Sequence, residues 1–100
     1  MSKFLLDKAR QTGAGAFVPI GDTGGVFQLS GETSDSTGAV SVDIEVSADK
    51  VNVVLAGTIS LSLSTTPATD GFYMAAKWPY ARANVTSISG TEASATVVVG

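Results

Sequence analysis

The chain contains no cysteine and no histidine. The first absence excludes disulfides, thiolate metal sites and thiol nucleophiles, and the second removes the base of a conventional serine triad. Charge is also scarce: charged residues make up 15% of the chain, against about 25% in ordinary soluble domains. Six residues are basic and the net charge is −3. Three of the six, Lys3, Lys8 and Arg10, lie near the N-terminus. Binding to phosphates needs a clustered basic stripe, and none is present, so no nucleic-acid partner is expected. Apolar runs are short, four residues in Val53 to Ala56 and five in Phe72 to Ala76, far short of the roughly 20 that a spanning helix requires. No membrane partner is expected. Phe4-Leu5-Leu6 is closed off by Asp7 and Lys8 before it could serve as the apolar region of a signal peptide, which predicts a chain made and used without secretion by that route.

What is present is alternation. Val40-Ser41-Val42-Asp43-Ile44-Glu45-Val46 and Ile59-Ser60-Leu61-Ser62-Leu63 place apolar residues at every second position, the pattern of a strand with one buried and one wet face. Val42, Ile44, Val46, Ile59, Leu61 and Leu63 are therefore predicted to face the core. Asp43, Glu45, Ser60 and Ser62 are predicted to face solvent, Glu45 as an isolated surface site. Further strands are predicted over Val26–Thr33, with Phe27 and Leu29 on one face, and over Ala39–Ser47, Val51–Ser64, Phe72–Ala76, Tyr80–Ser87 and Ala93–Val99. Gly57 marks a bulge or bend within the long segment Val51–Ser64. Turn chemistry separates them at Ser34 to Gly38, Ala48 to Lys50, Thr65 to Gly71 and Ser89 to Glu92. No helix-period segment of ten residues competes, although Leu5 to Gln11 could make two turns. One hundred residues make one domain, so the expected fold is a single all-β antiparallel sandwich, jelly-roll or immunoglobulin-like in strand order.

Residues 1–25 differ from the sandwich domain at 26–100. Two apolar segments, Phe4-Leu5-Leu6 and Phe17-Val18-Pro19-Ile20, flank the glycine-rich joint Gly13-Ala14-Gly15-Ala16. The segment reads either as an extended N-terminal arm or as an edge strand completing the sandwich. In the arm reading Phe4, Leu5, Leu6, Phe17, Val18 and Ile20 contact a neighbouring subunit. The low charge favours the same conclusion, because charged residues are depleted at the centres of protein interfaces.

The polar residues form no reactive constellation. Asp43 and Glu45 share a face, as paired carboxylates for acid–base work or cation binding would, but they alternate with core positions and read as a solvated face. Asp22, Asp35, Asp49 and Asp70 sit in turns without the ligand spacing of a calcium loop. Gly13-Ala14-Gly15 lacks the strand and the Gly-Lys-Ser of a phosphate cradle. Asn84-Val85-Thr86 matches a glycosylation acceptor without the secretory route that would use it. No catalytic residue, metal site or cofactor is expected. Trp78, Tyr80 and Arg82 are the richest cluster. On an extended chain they would share one face and could stack a sugar ring or a base. The alternative is that Trp78 and Tyr80 belong to the structural core, with Arg82 laid across them, in a chain with few other large side chains.

The order of these features carries a resemblance. A Leu-Leu-Asp segment and a Thr-Gly-Ala-Gly stretch precede Phe27-Gln28-Leu29-Ser30-Gly31 and Val42-Asp43-Ile44-Glu45-Val46-Ser47. The chain closes with Trp78-Pro79-Tyr80-Ala81-Arg82-Ala83-Asn84-Val85-Thr86-Ser87-Ile88-Ser89-Gly90-Thr91 and a valine-rich strand. This resembles small β-sandwich proteins that tailed bacteriophages and prophages encode among their virion genes. The resemblance implies a non-enzymatic structural virion protein made in the bacterial cytoplasm. Within that class it points to a capsid decoration, or cement, protein: a small homo-oligomer lying over junctions between major capsid subunits. The implied partners are copies of itself and the major capsid protein or another virion protein. A tail- or fibre-associated module, and a carbohydrate-binding sandwich built on Trp78 and Tyr80, are the alternatives.

Overall fold

The computed structural model describes residues 2–35 and 37–100. Ser36, within the turn expected at Ser34 to Gly38, lies outside the described residues. The chain forms strands β1 (Lys3–Ala9), β2 (Gly13–Ala14), β3 (Val18–Pro19), β4 (Val26–Glu32), β5 (Gly38–Ser47), β6 (Val54–Leu63), β7 (Ala68–Tyr73), β8 (Tyr80–Ser89) and β9 (Ser94–Val99). One sheet runs β1-β9-β4-β7, and the other runs β2-β8-β5-β6 with β3 also paired to β8. All pairings are antiparallel. The first strand pairs with the last, β2 and β3 with β8, β4 with β7, and β5 with β6. These nested pairs alternate between the two sheets, which is the winding of a jelly roll. Of the two expected sandwich orders, this is the one present.

The alternation sets the core. Val40, Val42, Ile44 and Val46 of β5 are buried, facing a layer built from Phe27, Leu29, Ala95, Val97 and Val99 of the opposite sheet. Ala81, Ala83 and Val85 of β8 and Ile59 and Leu63 of β6 complete it. Each fully buried Val, Leu, Ile or Phe side chain contributes about 1.5–3 kcal/mol. Phe27 stacks on Phe72 with ring centroids 5.4 Å apart, closing the β4–β7 side. Leu61 points inward as expected but is only half-buried, because β6 is an edge. The bulge expected at Gly57 lies beside it: Ile44 pairs with Gly57 and Glu45 with Leu55, leaving Ala56 unpaired.

Three expectations change. Residues 3–20 lie on the chain's own sandwich. β1 pairs with β9 at the edge of one sheet, and β2 and β3 pair with β8 at the edge of the other. Leu5 and Ile20, expected as contacts to a neighbour, are instead buried in this chain's own core, where the apolar gain offsets the cost of ordering the segment. The glycine-rich joint is the crossing between sheets. Gly15 donates its N–H to the Ala83 carbonyl at 2.9 Å, and a β-carbon there would lie 3.0 Å from the Leu5 carbonyl oxygen and 3.1 Å from Leu6 Cδ2. Second, β7 begins at Ala68 and ends at Tyr73, not over Phe72–Ala76. Thr69 and Asp70-Gly71, read as loop chemistry, pair with Ser30, Leu29 and Gln28. A β-carbon on Gly71 would meet the Phe27 carbonyl oxygen at 2.2 Å, so glycine serves close strand approach there. Third, residues 51–53 belong to the β5–β6 turn and β6 starts at Val54.

Candidate interaction site at one end of the sandwich

The β5–β6 turn is held by side chains. The buried Ser47 hydroxyl lies 2.6 Å from the Asn52 carbonyl and 3.0 Å from Asp49 Oδ1, with one proton to donate. It accepts from the N–H groups of Lys50 at 2.9 Å and Asp49 at 3.2 Å. Asp49 Oδ1 accepts from the N–H groups of Asn52 at 2.8 Å and Val51 at 2.9 Å, and Oδ2 from the Asn52 side-chain amide at 2.8 Å. The Asn52 N–H first, then that of Val51, then the Asn52 and Ser47 side chains hold the Asp49 carboxyl far below the usual aspartate value. Lys50 adopts a left-handed conformation, φ 67°, and its Nζ sits 4.7 Å from the centre of the Tyr80 ring. The turn is thus preorganised.

What it presents is apolar. Val51 at its tip is 78% exposed, and Val53, Val54 and Leu55 follow it out into solvent. Tyr73 at the end of β7 is 67% exposed and pairs with exposed Val26 at the start of β4. Phe4, near the start of β1, is 61% exposed and pairs with Val98. The registers place all of these toward one end of the sandwich, where Ser47 pairs with Tyr80, Tyr80 with Pro19, and Phe27 with Val99. They are the seven large apolar side chains exposed among the described residues. At the opposite end a polar depression is lined by Lys8, Arg10, Glu32, Thr33, Glu92 and Ser94, among others. Asp35 is held below the usual aspartate range there by the Thr91 side chain first and then by the Thr91 N–H, 2.9 Å from its Oδ2.

Trp78, Tyr80 and Arg82 do not form one platform. Trp78 precedes β8 and packs, half-buried, against the core. With Ile20, Thr23, Phe27 and Met74 it lines a cavity of about 30 Å³, space on the order of one water molecule. Tyr80 and Arg82 lie on the outer face, half-buried. Tyr80 is covered by Lys50, and Arg82 Nε donates to Glu45 Oε1 at 2.6 Å while its guanidinium lies 4.7 Å from the centre of the Phe17 ring. Glu45 is therefore not an isolated surface site. Asp43 accepts from Thr58 Oγ1 at 2.7 Å, so the two carboxylates serve cross-strand contacts. Among the described residues no three His, Cys, Asp or Glu side chains cluster as metal ligands would.

Of the residues expected at an assembly contact, Phe4 alone is strongly exposed; Leu6, Phe17 and Val18 are half-buried against this chain. Sequence reading missed Val26, Val51, Val53, Val54, Leu55 and Tyr73. The signal for Val53 to Leu55 was present, in an apolar run beside a turn, but it read as part of the long strand over Val51–Ser64. No family model, curated protein or solved structure matches this chain.

Proposed function

We propose that this is a non-enzymatic structural protein of a tailed-phage virion, a capsid decoration protein that docks through the apolar end of its jelly roll. The observation that carries an assembly role is the segregation of exposed apolar side chains to one end, several of them on or beside a turn that costs little to order on binding. The virion setting rests on the resemblance of the Trp78–Thr91 segment and the strands before it. In this reading the major capsid protein covers Val51, Val53, Leu55 and Tyr73, and charge-poor copies crowd the capsid surface without strong mutual repulsion. The tail-associated alternative would use the same surface. The carbohydrate reading has less support, because Trp78 packs on the core and Tyr80 and Arg82 already have partners.

The test is cosedimentation with capsids lacking the protein. Val51→Ser with Leu55→Ser should abolish binding while leaving the circular dichroism spectrum unchanged, and Glu92→Lys, at the opposite end, should bind as the parent does. Equal binding by all three would overturn the apolar end as the docking surface. A saturable change in Trp78 fluorescence on sugar titration, with no capsid binding, would replace this reading with the carbohydrate one.

A further inference from the structure

Each sheet has two edges, and a bare edge is a template for another strand. Three of the four are guarded. β1 carries Lys3, Asp7 and Lys8, has two register shifts, and places Lys8 at φ 52°. β2 and β3 are two residues each, with Gly13 at φ 134° and with Pro19, which has no N–H. β7 carries Asp70 opposite the buried Leu29, a charge at an inward register position. The fourth edge, β6, is ten residues long and contains no charged residue and no proline. Beyond the irregularity at Ala56, Gly57–Leu63 pairs with β5 without interruption, and among the described residues no strand pairs with its other side.

We infer that a second copy of this chain pairs with β6 along this edge, β6 against β6 about a two-fold axis, so that one sheet runs through both copies. Charge selects the occupant. A two-fold contact sets each edge against itself, and like charges placed opposite each other destabilise a strand pair. In a chain of net charge −3, β6 is the long edge that brings no charge to its copy. Its solvent-face residues Thr58, Ser60 and Ser62 are short hydroxyl side chains. This chain already joins such residues across strands, Ser41 to Ser60 at 2.6 Å and Ser30 to Thr69 at 3.2 Å, and a second β6 would repeat that pairing. On the inner face the same contact would cover Leu61, which the single copy leaves half-exposed. The inference does not depend on the virion reading. Gly57–Leu63 runs away from the apolar end, Leu63 pairing with Gly38.

Sedimentation equilibrium of the purified full chain tests it without any capsid. The parent should be a dimer at micromolar concentration. Ser62→Lys, at an exposed position, should weaken it at least about tenfold with an unchanged circular dichroism spectrum. Val51→Ser with Val53→Ser, in the exposed turn before β6, should still dimerise, which separates this contact from capsid docking. Amide exchange of the parent should show protection in Gly57–Leu63 that increases with concentration while β1 and β7 stay unchanged. A monomeric parent, a Ser62→Lys dimer as strong as the parent's, or concentration-dependent protection confined to another edge would each overturn the inference. So would protection of β6 appearing only when a different virion protein is added.

Discussion

Replacing Ile44 by Ala measures whether the two faces of β5 are assigned correctly. Ile44 is fully buried, between Ala83 of β8 and Gly57 of β6. The substitution removes three carbons at about 0.8 kcal/mol each, about 2.4 kcal/mol of transfer free energy. A cavity term adds to this. The flanking residues are alanine and glycine, with almost no side chain to move into the space, and the ladders on both sides fix the backbone. The expected loss is therefore about 4 kcal/mol, in the upper part of the 2–5 kcal/mol range for such truncations. For a domain whose total stability is of order 5–15 kcal/mol, that is a large fraction. Glu45→Ala is the comparison one residue along. It removes the acceptor of Arg82 Nε but leaves Arg82 stacked on Phe17. A partly exposed pair of this kind is worth up to about 1 kcal/mol, which replaces the near-zero value expected for an isolated surface site. Urea titrations followed by Trp78 fluorescence and by circular dichroism measure both losses. Equal losses, or an Ile44→Ala loss below about 1 kcal/mol, would refute the face assignment.

Two further outcomes are expected. Asp49 is held below the usual aspartate value of 3.8 in the folded chain, so the unfolded chain binds its proton more readily; the stability from this turn is full above that value and is lost as pH falls below it. Asp22, lowered first by its bond to Lys3, and Asp35 share the sign, and Asp49→Asn should flatten the decline in urea midpoint between about pH 5 and about pH 2, an unchanged decline counting against the turn. Deleting residues 1–20 removes three edge strands together with buried Leu5 and Ile20, about 3–6 kcal/mol of burial alone; the truncated chain should lose its cooperative urea transition, and a folded, stable product would restore the arm reading.

Central strands were legible in the sequence because they have two different neighbours to satisfy. β5 alternates in sequence over Val40–Val46 and β9 alternates in burial, since one face of each meets the core, and their limits were placed to within a residue. Edges were less legible. β7 pairs on one side only, so Thr69, Asp70 and Gly71 combine turn chemistry with strand geometry, and composition favoured the turn. The N-terminal segment left two readings open because Phe4-Leu5-Leu6 and Phe17-Val18-Pro19-Ile20 are equally apolar whether a neighbour or the chain's own core covers them. Only pairing with β9 and β8 decides, and those strands lie more than sixty residues away. The proposed interaction surface was hidden for a related reason. Phe4, Val26, Val51, Leu55 and Tyr73 come from separate elements, and no local pattern shows that the jelly-roll winding brings them to one end.

The winding also gives the scarcity of charge a location. At the polar end Lys8, Arg10, Glu32, Asp35 and Glu92 stand toward solvent. At the apolar end most charges are engaged: Lys3 Nζ pairs with Asp22 at 2.9 Å, Arg82 pairs with Glu45, Lys50 lies on the Tyr80 ring, and Asp49 is occupied by the turn. Lys77 is the exposed exception. A partner docking at that end would displace water mainly from apolar surface and from charges whose partners travel with them, so the desolvation penalty is small where contact is greatest. The same logic applies along β6, where no charge has to be desolvated at all. A surface evolved only for solubility would distribute its few charges to break up the apolar area. Here they are spent at the far end and within internal pairs, leaving one end and one edge uninterrupted, which is the arrangement the proposed docking and strand pairing would use.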